Sequence, residues 1–183
     1  MNLWLRLLYL IVASFFRPKL DPTADASCLG FRVWPHDLDI SMHLNNGRYW
    51  TLMDLGRADL VIRSGLWRAV VRHRWAPIVS AAKIRFRREL TLFRRFRIET
   101  RIVAWTDTFV VMEHRVLTAG KAGRDIVAAV ALASTGLYDR RARSFVPVER
   151  LFAELGLVAV PSPEPRPDIA AFLAAEEAFK QAA

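Results

Sequence analysis

The chain has 183 residues, of which 53% are hydrophobic and 25% charged, and its formal net charge is +9. That length suits one domain with a real core and is short for two, and the hydrophobic content excludes disorder by composition. The basic balance points to an anionic partner: nucleic acid, an acidic membrane surface or a phosphorylated substrate. The single cysteine, Cys28, excludes intrachain disulfides and any cysteine-rich metal site.

Residues 3–16 form an apolar N-terminal segment that Arg6 interrupts. The apolar run after Arg6 is about half the roughly 20 residues that a membrane-spanning helix needs. No small-x-small cleavage site follows it, and two phenylalanines and Arg17-Pro18 stand there instead. We expect residues 1–27 to be a helix and linker, with the helix docked on the domain or lying at a membrane surface. A membrane anchor and a cleaved signal are the alternatives.

The following segments change between strand and helix patterns. Residues 29–36 alternate as a strand, and a polar loop leads to a helical pattern from Asn46 to about Gly65. After Pro77 apolar and polar residues alternate with a period of two, which predicts strands with one buried face and one solvent-exposed face. The predicted strands are 78–88, 95–105, 108–118 and 125–138, with a glycine-rich turn at 119–123, a polar turn at 139–144, and helices at 147–156 and 168–182.

A long helix near the start, followed by an antiparallel meander, predicts an α+β fold in which the sheet wraps around the helix. About five strands are expected, with extra helices at both termini. This divides the chain into an N-terminal helix and linker (1–27), a central domain (28–157) and a C-terminal helical extension (158–183).

The loop from Asp37 to Asn46 holds two carboxylates, one histidine and two amides between a strand and a helix start. The first amides of a helix have no internal partner, so they can hold a polarised carbonyl oxygen as an oxyanion hole does. A carboxylate upstream in the same loop can attack the carbonyl carbon or activate water. The structural alternative is helix capping by Asn45 or Asn46, with a cap or turn role for Asp37.

This loop and the helix after it carry a longer motif, which reads Asp37-x-Asp39-x-x-x-His43-x-Asn45-Asn46-x-x-Tyr49, with Asp54 and Arg57 following. The motif resembles the signature of 4-hydroxybenzoyl-CoA-thioesterase-like hotdog-fold proteins. In particular it is similar to the branch of the thioesterase superfamily member 6 type, which also starts with a hydrophobic segment. The strand pattern and the ending Tyr138-Asp139 to Val146-Pro147 extend the resemblance over about residues 29–155.

The resemblance implies an acyl-CoA thioesterase of lipid metabolism that hydrolyses a thioester to free acid and CoA. Asp39 matches the catalytic carboxylate, as base or nucleophile, and the backbone amide near Asn46 matches the group that polarises the carbonyl. His43 matches a further position of the catalytic loop, and Asn45 and Tyr49 match positions expected to contact substrate. The family needs no metal or cofactor, and it works as a homodimer or homotetramer with active sites at the subunit interface.

Two positions depart from the family motif. Met42 stands where glycine is usual, so we expect a different backbone conformation in the loop. Asp54 stands where glutamate is usual, which leaves the role of that position open.

Other interpretations are weighed against this one. From Lys83 to Arg101 there are eight basic and two acidic residues, which fit a solvated strand face, a site for CoA phosphates, or anionic lipid. Nucleic acid is disfavoured because no recognised motif accompanies the charge. The main alternative function is a non-catalytic acyl- or lipid-binding protein at a membrane surface. A hydratase of the same fold would need a His/Asp or His/Glu arrangement that we do not find. The expected location is cytoplasmic, with membrane association through the N-terminal helix.

Overall fold

The structure is a computed structural model that describes residues 3–120 and 123–182. Those residues form five α-helices, six strands and a 3₁₀ turn at Pro35–Asp37. The helices are α1 (Leu3–Ser14), α2 (Asn46–Ser64), α3 (Trp67–His73), α4 (Val148–Glu154) and α5 (Pro167–Ala182). The strands are β1 (Ser27–Arg32), β2 (Trp75–Phe86), β3 (Arg95–Trp105), β4 (Phe109–Ala119), β5 (Asp125–Asp139) and β6 (Ser144–Phe145).

The strands form one sheet in the order β1-β3-β4-β5-β2, and the short β6 pairs with β5. β1 runs antiparallel to β3, in a register that places Ser27 opposite Thr100 and Arg32 opposite Arg95. The predicted α+β class, with an antiparallel sheet of about five strands and extra terminal helices, is confirmed.

Most of the predicted strands agree with the structure to within a few residues, and the strand predicted at 95–105 matches β3 at both ends. The strand predicted at 29–36 is wrong at its end, because β1 stops at Arg32 and Pro35, which has a fixed φ and no N–H, begins the 3₁₀ turn. β2 begins earlier than predicted and contains Pro77, which is tolerated because β2 lies at one end of the sheet. Helix α3 was not predicted. Part of the predicted turn at 119–123, Lys121 and Ala122, lies outside the described residues.

The chain divides into two compact units. The first comprises Met1–Ser64, Ile84–Arg101 and His114–Val130. The second comprises Gly65–Lys83, Ile102–Glu113 and Ala131–Ala183. Each has its own buried residues, and the loop with the candidate site residues belongs to the first.

In the first unit, α2 comes close to β3 at Gly56. A Cβ at this position would collide with Oγ1 of Thr100, so the close approach requires glycine. One turn further along α2, the carboxylate of Asp59 is fully buried and accepts hydrogen bonds from Ser14 Oγ at 3.2 Å and Ser27 Oγ at 2.7 Å. This carboxylate therefore joins α1, β1 and α2.

The second unit has two apolar clusters. One contains Ile169 and Phe172 of α5, packed with Ala104, Val111 and Leu132. The other consists of Ala69, Trp75, Leu137 and Val146. Trp75 thus belongs to a core cluster, and Trp105 packs edge-on against Phe152 at 5.5 Å.

Helix α5 is also held by polar contacts. Arg166, just before it, bonds Glu113 on β4 at 2.8 Å. Glu176 accepts a hydrogen bond from Ser80 Oγ at 2.5 Å. Across the described ranges, no helix is both long and apolar enough to cross a bilayer.

His114 of β4 is fully buried between two side chains of the first unit. Arg57 can only donate, so its contact of 3.2 Å makes Nε2 of His114 the acceptor. The proton therefore lies on Nδ1, which donates to Thr100 Oγ1 at 2.9 Å. Burial, with a smaller contribution from the Arg57 charge, lowers the pKa of His114 from its ordinary value near 6.5 to about 3.

This buried histidine makes stability depend on pH. Between pH about 6.5 and 3 the unfolded chain binds a proton at His114 that the folded chain does not, so acidification lowers the free energy of unfolding. The expected slope from this residue is up to about 1.4 kcal/mol per pH unit. Urea denaturation from pH 7 to 4 should show a steeper loss in wild type than in His114→Gln, which keeps an acceptor for Arg57. Equal slopes in the two proteins would contradict the buried neutral histidine.

Candidate active site

The loop before α2 is fixed by backbone hydrogen bonds on both sides. Within the loop, the Asp39 amide donates to the carbonyl of His43 at 2.9 Å. Outward, the Leu44 amide donates to the Leu90 carbonyl at 2.8 Å, and His43 forms a β-bridge with Thr91. The segment before β3 therefore supports the loop, and its polar side chains project from a defined backbone.

Asp39 is half-buried in this loop. Its Oδ1 accepts hydrogen bonds from the amides of Ser41, at 2.9 Å, and His43, at 3.4 Å. Within the described part of the chain, its Oδ2 accepts none. One oxygen therefore orients the carboxylate, while the other keeps lone pairs that can take a proton or attack a carbon.

Asp37 is placed quite differently, with 1% of the residue exposed. Its Oδ2 accepts hydrogen bonds from Arg6 Nη2 at 2.8 Å and from the Trp34 amide at 3.1 Å. The Nε atom of Arg48 lies 3.7 Å from Oδ1. The expected turn role of Asp37 is thus seen in its bond to Trp34, and the same carboxylate ties α1 to the site loop.

The two asparagines at the start of α2, Asn45 and Asn46, have different roles. Oδ1 of Asn45 accepts from the Gly47 amide at 2.8 Å, and its carbonyl accepts from the Arg48 amide at 2.9 Å. Asn45 is therefore the cap of α2. Asn46 is the first helical residue and is exposed, and no acceptor in the described ranges bonds its amide. That amide is a free donor at the positive end of the helix dipole.

The remaining predicted residues lie on either side of this pair. His43 is half-buried, and its Nε2 lies 3.1 Å from Oε2 of Glu89. Tyr49 is only 3% exposed, and its ring packs edge-on against Phe86 at 5.1 Å. Burial raises the pKa of Tyr49 to about 12. The structure thus gathers Asp39, His43 and both asparagines in one loop and helix start, whereas Tyr49 lies one turn further on and is buried in this chain.

Two residues near the site were missed in the sequence. Glu89 is the only acidic residue between Lys83 and Arg95, and that isolation in a basic stretch was a usable signal. Arg6 carried no comparable signal, because its partner Asp37 lies 31 positions away in the chain.

Met42 adopts a left-handed conformation with φ of 61°. Glycine populates this region freely, whereas a residue with a Cβ does so at a cost of about 1 kcal/mol. Met42 holds a glycine-like conformation, with its side chain 60% exposed.

Throughout residues 3–120 and 123–182, no group of histidine, cysteine and acidic side chains is placed to hold a metal ion.

The cap on α2 can be tested by mutation. Asn45→Ala removes the acceptor for the Gly47 amide, so we expect the free energy of unfolding to fall by about 1 kcal/mol. Asn46→Ala is the matched control, since it deletes the same side chain one position later without breaking the cap bond. Urea denaturation followed by circular dichroism measures both. An equal loss in the two variants would mean that Asn45 is not the cap.

The family model described as the thioesterase-like superfamily matches residues 33–173. Protein THEM6 from Xenopus laevis is 39% identical over 83 residues, which cover 45% of this chain and 40% of that protein. Protein THEM6 from Danio rerio is 31% identical over 115 residues, covering 63% of this chain and 57% of that protein. The matches thus span about half the length of these curated relatives.

A solved structure shows the same fold. The 4-hydroxybenzoyl CoA thioesterase from Pseudomonas sp. strain CBS-3 aligns with a TM-score of 0.63 at 20% identity, covering 72% of this chain and 99% of that chain. This likeness establishes the hotdog fold predicted from the motif. Since the family model also matches most of the sequence, the chain belongs to the thioesterase-like superfamily.

Proposed function

We propose that the chain hydrolyses an acyl-CoA thioester to a free acid and CoA. The observation that carries this is the Asp39 carboxylate, which the loop amides orient through one oxygen while the other stays unbonded. The same loop ends at the free Asn46 amide. Family membership and the likeness to a CoA thioesterase support thioester chemistry at this place.

The roles follow from the charges that develop in the reaction. The Asn46 amide donates to the thioester carbonyl oxygen and stabilises the negative charge that forms there. As a base, Asp39 takes a proton from water, the water oxygen bonds to the carbonyl carbon, and the C–S bond breaks to release the CoA thiolate, which is then protonated. As a nucleophile, Asp39 attacks the carbonyl carbon, the C–S bond breaks to release the CoA thiolate, and water then hydrolyses the mixed anhydride to the acid and free Asp39. Both routes consume one water and give the same products.

The remaining site residues have supporting roles. His43, with Glu89 at 3.1 Å, is a polar side chain of the catalytic loop. Asn45 fixes the helix start by its cap, so its effect on substrate passes through the position of the Asn46 amide. Tyr49 packs against Phe86 and is only 3% exposed, so its role is to hold the first turns of α2 in place.

The test is hydrolysis of a panel of short, long and aromatic acyl-CoAs, followed by thiol release. Asp39→Asn removes the base or nucleophile but keeps the size of the side chain, so we expect kcat/KM to fall by about 10²–10⁴-fold with the fold retained. Glu89→Gln is the control, because it removes a nearby carboxylate that is 65% exposed. We expect at most a severalfold change there. Activity retained in Asp39→Asn would refute the assignment.

A second candidate is non-catalytic acyl or lipid binding at a membrane surface. The N-terminal segment favours it, because Trp4 and Leu8 of α1 are 73% and 60% exposed and Phe15, just after the helix, is 67% exposed. An interfacial helix buries such a face at the boundary between headgroups and acyl chains. The panel above decides between the candidates. If folded wild type hydrolyses no acyl-CoA but sediments with anionic vesicles, the membrane-surface function replaces the thioesterase.

We also propose that the chain works as a homodimer, as the resemblance implies. β2 lies at one end of the sheet and exposes apolar side chains, with Val79 46% and Phe86 41% exposed. Such an edge is a template for pairing with a second copy. Sedimentation velocity should show a dimer for wild type and a monomer for Val79→Lys. Val158→Lys, at a residue 83% exposed outside the strands, should leave the dimer intact. A wild type that is monomeric at concentrations where it is active would contradict the proposal.

A further inference from the structure

A cleft of about 570 Å³ lies in the first unit, beside the N-terminal helix. Helix α1 provides one wall with Tyr9 and Leu10, and strand β1 provides the other with Leu29 and Phe31. Leu55 of α2 also lines it. Its volume is in the range of small-molecule sites, which is about 300–1,000 Å³. None of the proposed catalytic residues lines it, so the cleft is separate from the thioester site.

The lining is apolar in one part and strongly basic in another. Tyr9 and Trp34 are 70% and 40% exposed, so the accessible part of the wall is aromatic, whereas Leu10, Leu29 and Leu55 are covered by the protein's own packing. An alkyl chain is the ligand that such a wall accepts, because it needs no hydrogen bonds. Phe31, stacked on Phe96 at 5.6 Å, adds an aromatic surface.

Two of the lining arginines face each other across the sheet. Arg32 of β1 and Arg95 of β3 are direct partners in the antiparallel register, and like charges in this position destabilise a strand pair. In the portion of the chain that the structure describes, neither makes an ion pair with a carboxylate. Arg17, a third lining arginine, reaches Asp59 only at 3.6 Å.

Another arginine of the same strand has a counter-charge of its own. Arg97, two residues after Arg95, forms a bidentate ion pair with Asp125 at 2.7 Å for both contacts. The chain therefore neutralises one neighbour internally and leaves the pair in the cleft without a counter-charge. An anion placed between the two guanidinium groups would supply it.

We propose that this cleft binds an amphiphile with a single alkyl chain and an anionic headgroup, a carboxylate or a phosphate. The headgroup lies between Arg32 and Arg95, and the chain lies along Tyr9, Phe31 and Trp34. Recognition needs both parts, because the arginines select the charge and the aromatic rings select the alkyl chain. The proposal does not rest on thioester hydrolysis.

Gly30 offers a way to block the cleft without disturbing the protein. It lines the cleft between Leu29 and Phe31, and a Cβ built there meets nothing within 4 Å. Its backbone is outside the left-handed region, so a side chain is tolerated in the strand. Because side chains two positions apart on a strand share a face, Gly30→Leu places its side chain on the face of Arg32 and obstructs the headgroup end of the cleft.

The experiment is calorimetric titration of the full chain with dodecanoate, and separately with lauroyl lysophosphatidate, each below its micelle concentration. We expect wild type to bind at least one of them, and the arm that binds more tightly identifies the headgroup. The double variant Arg32→Gln with Arg95→Gln should weaken that binding by about tenfold or more. Arg140→Gln with Arg141→Gln removes two exposed arginines from a turn elsewhere and should leave it unchanged. Gly30→Leu should abolish binding.

Dodecanol and CoA complete the test. Dodecanol keeps the chain but lacks the charge, so it should bind at least about tenfold more weakly than the anion. CoA has phosphates but no alkyl chain, and it should not compete. Unchanged affinity in the cleft double variant, full binding by folded Gly30→Leu, competition by CoA, or binding to intact anionic vesicles alone would each overturn the proposal. Asp39→Asn should still bind the amphiphile, and Gly30→Leu should still hydrolyse acyl-CoA. Failure of amphiphile binding can therefore be distinguished from failure of the proposed thioesterase activity.

Discussion

The buried carboxylate of Asp59 is the interaction on which the rest of the first unit depends. A charge withdrawn from water is costly unless hydrogen bonds replace its hydration. Here the replacements come from Ser14 on α1, Ser27 on β1 and Arg63 on α2 itself. Removing the charged partner of a buried ion pair, here Arg63, typically costs about 3–5 kcal/mol. The N-terminal helix is therefore an integral part of the unit, and both the cleft and the contact of Arg6 with the site loop follow from its position.

The two aspartates of the motif show how neighbouring residues of one type acquire different roles. Asp37 is buried and bonded to Arg6 and to the Trp34 amide, so its work is to hold the loop. Asp39 is half-buried and bonded through one oxygen, so it keeps capacity for chemistry. The difference arises from which groups surround each carboxylate and not from the residue type. Capping and catalysis are also compatible here, because Asn45 accepts a hydrogen bond from the Gly47 amide and leaves the Asn46 amide free.

Much of the fold could be predicted because its signals are local. The period-two pattern predicted both ends of β3 correctly. The two asparagines, with the apolar spacing that follows them, predicted the first residue of α2. Helix α3 was missed because seven residues show too little periodicity to stand out between Gly65 and Pro77. The pairing of Arg6 with Asp37 could not be predicted, since nothing local indicates which acid a distant arginine reaches. The site residues were found as a cluster through a motif, but their separation into cap, support and free carboxylate required coordinates.

The end of the sheet formed by β2 has a consequence for solubility. Exposed strand edges recruit further strands, and unlimited recruitment leads to aggregates. Pro77 withholds one backbone donor near the start of this edge, and Lys83 and Arg85 place like charges further along it. Any strand added beside Pro77 would leave one hydrogen bond unmade, and a parallel in-register copy would in addition meet repulsion at Lys83 and Arg85. The edge is thus guarded against open-ended growth, which matters most while the chain is newly made and still folding.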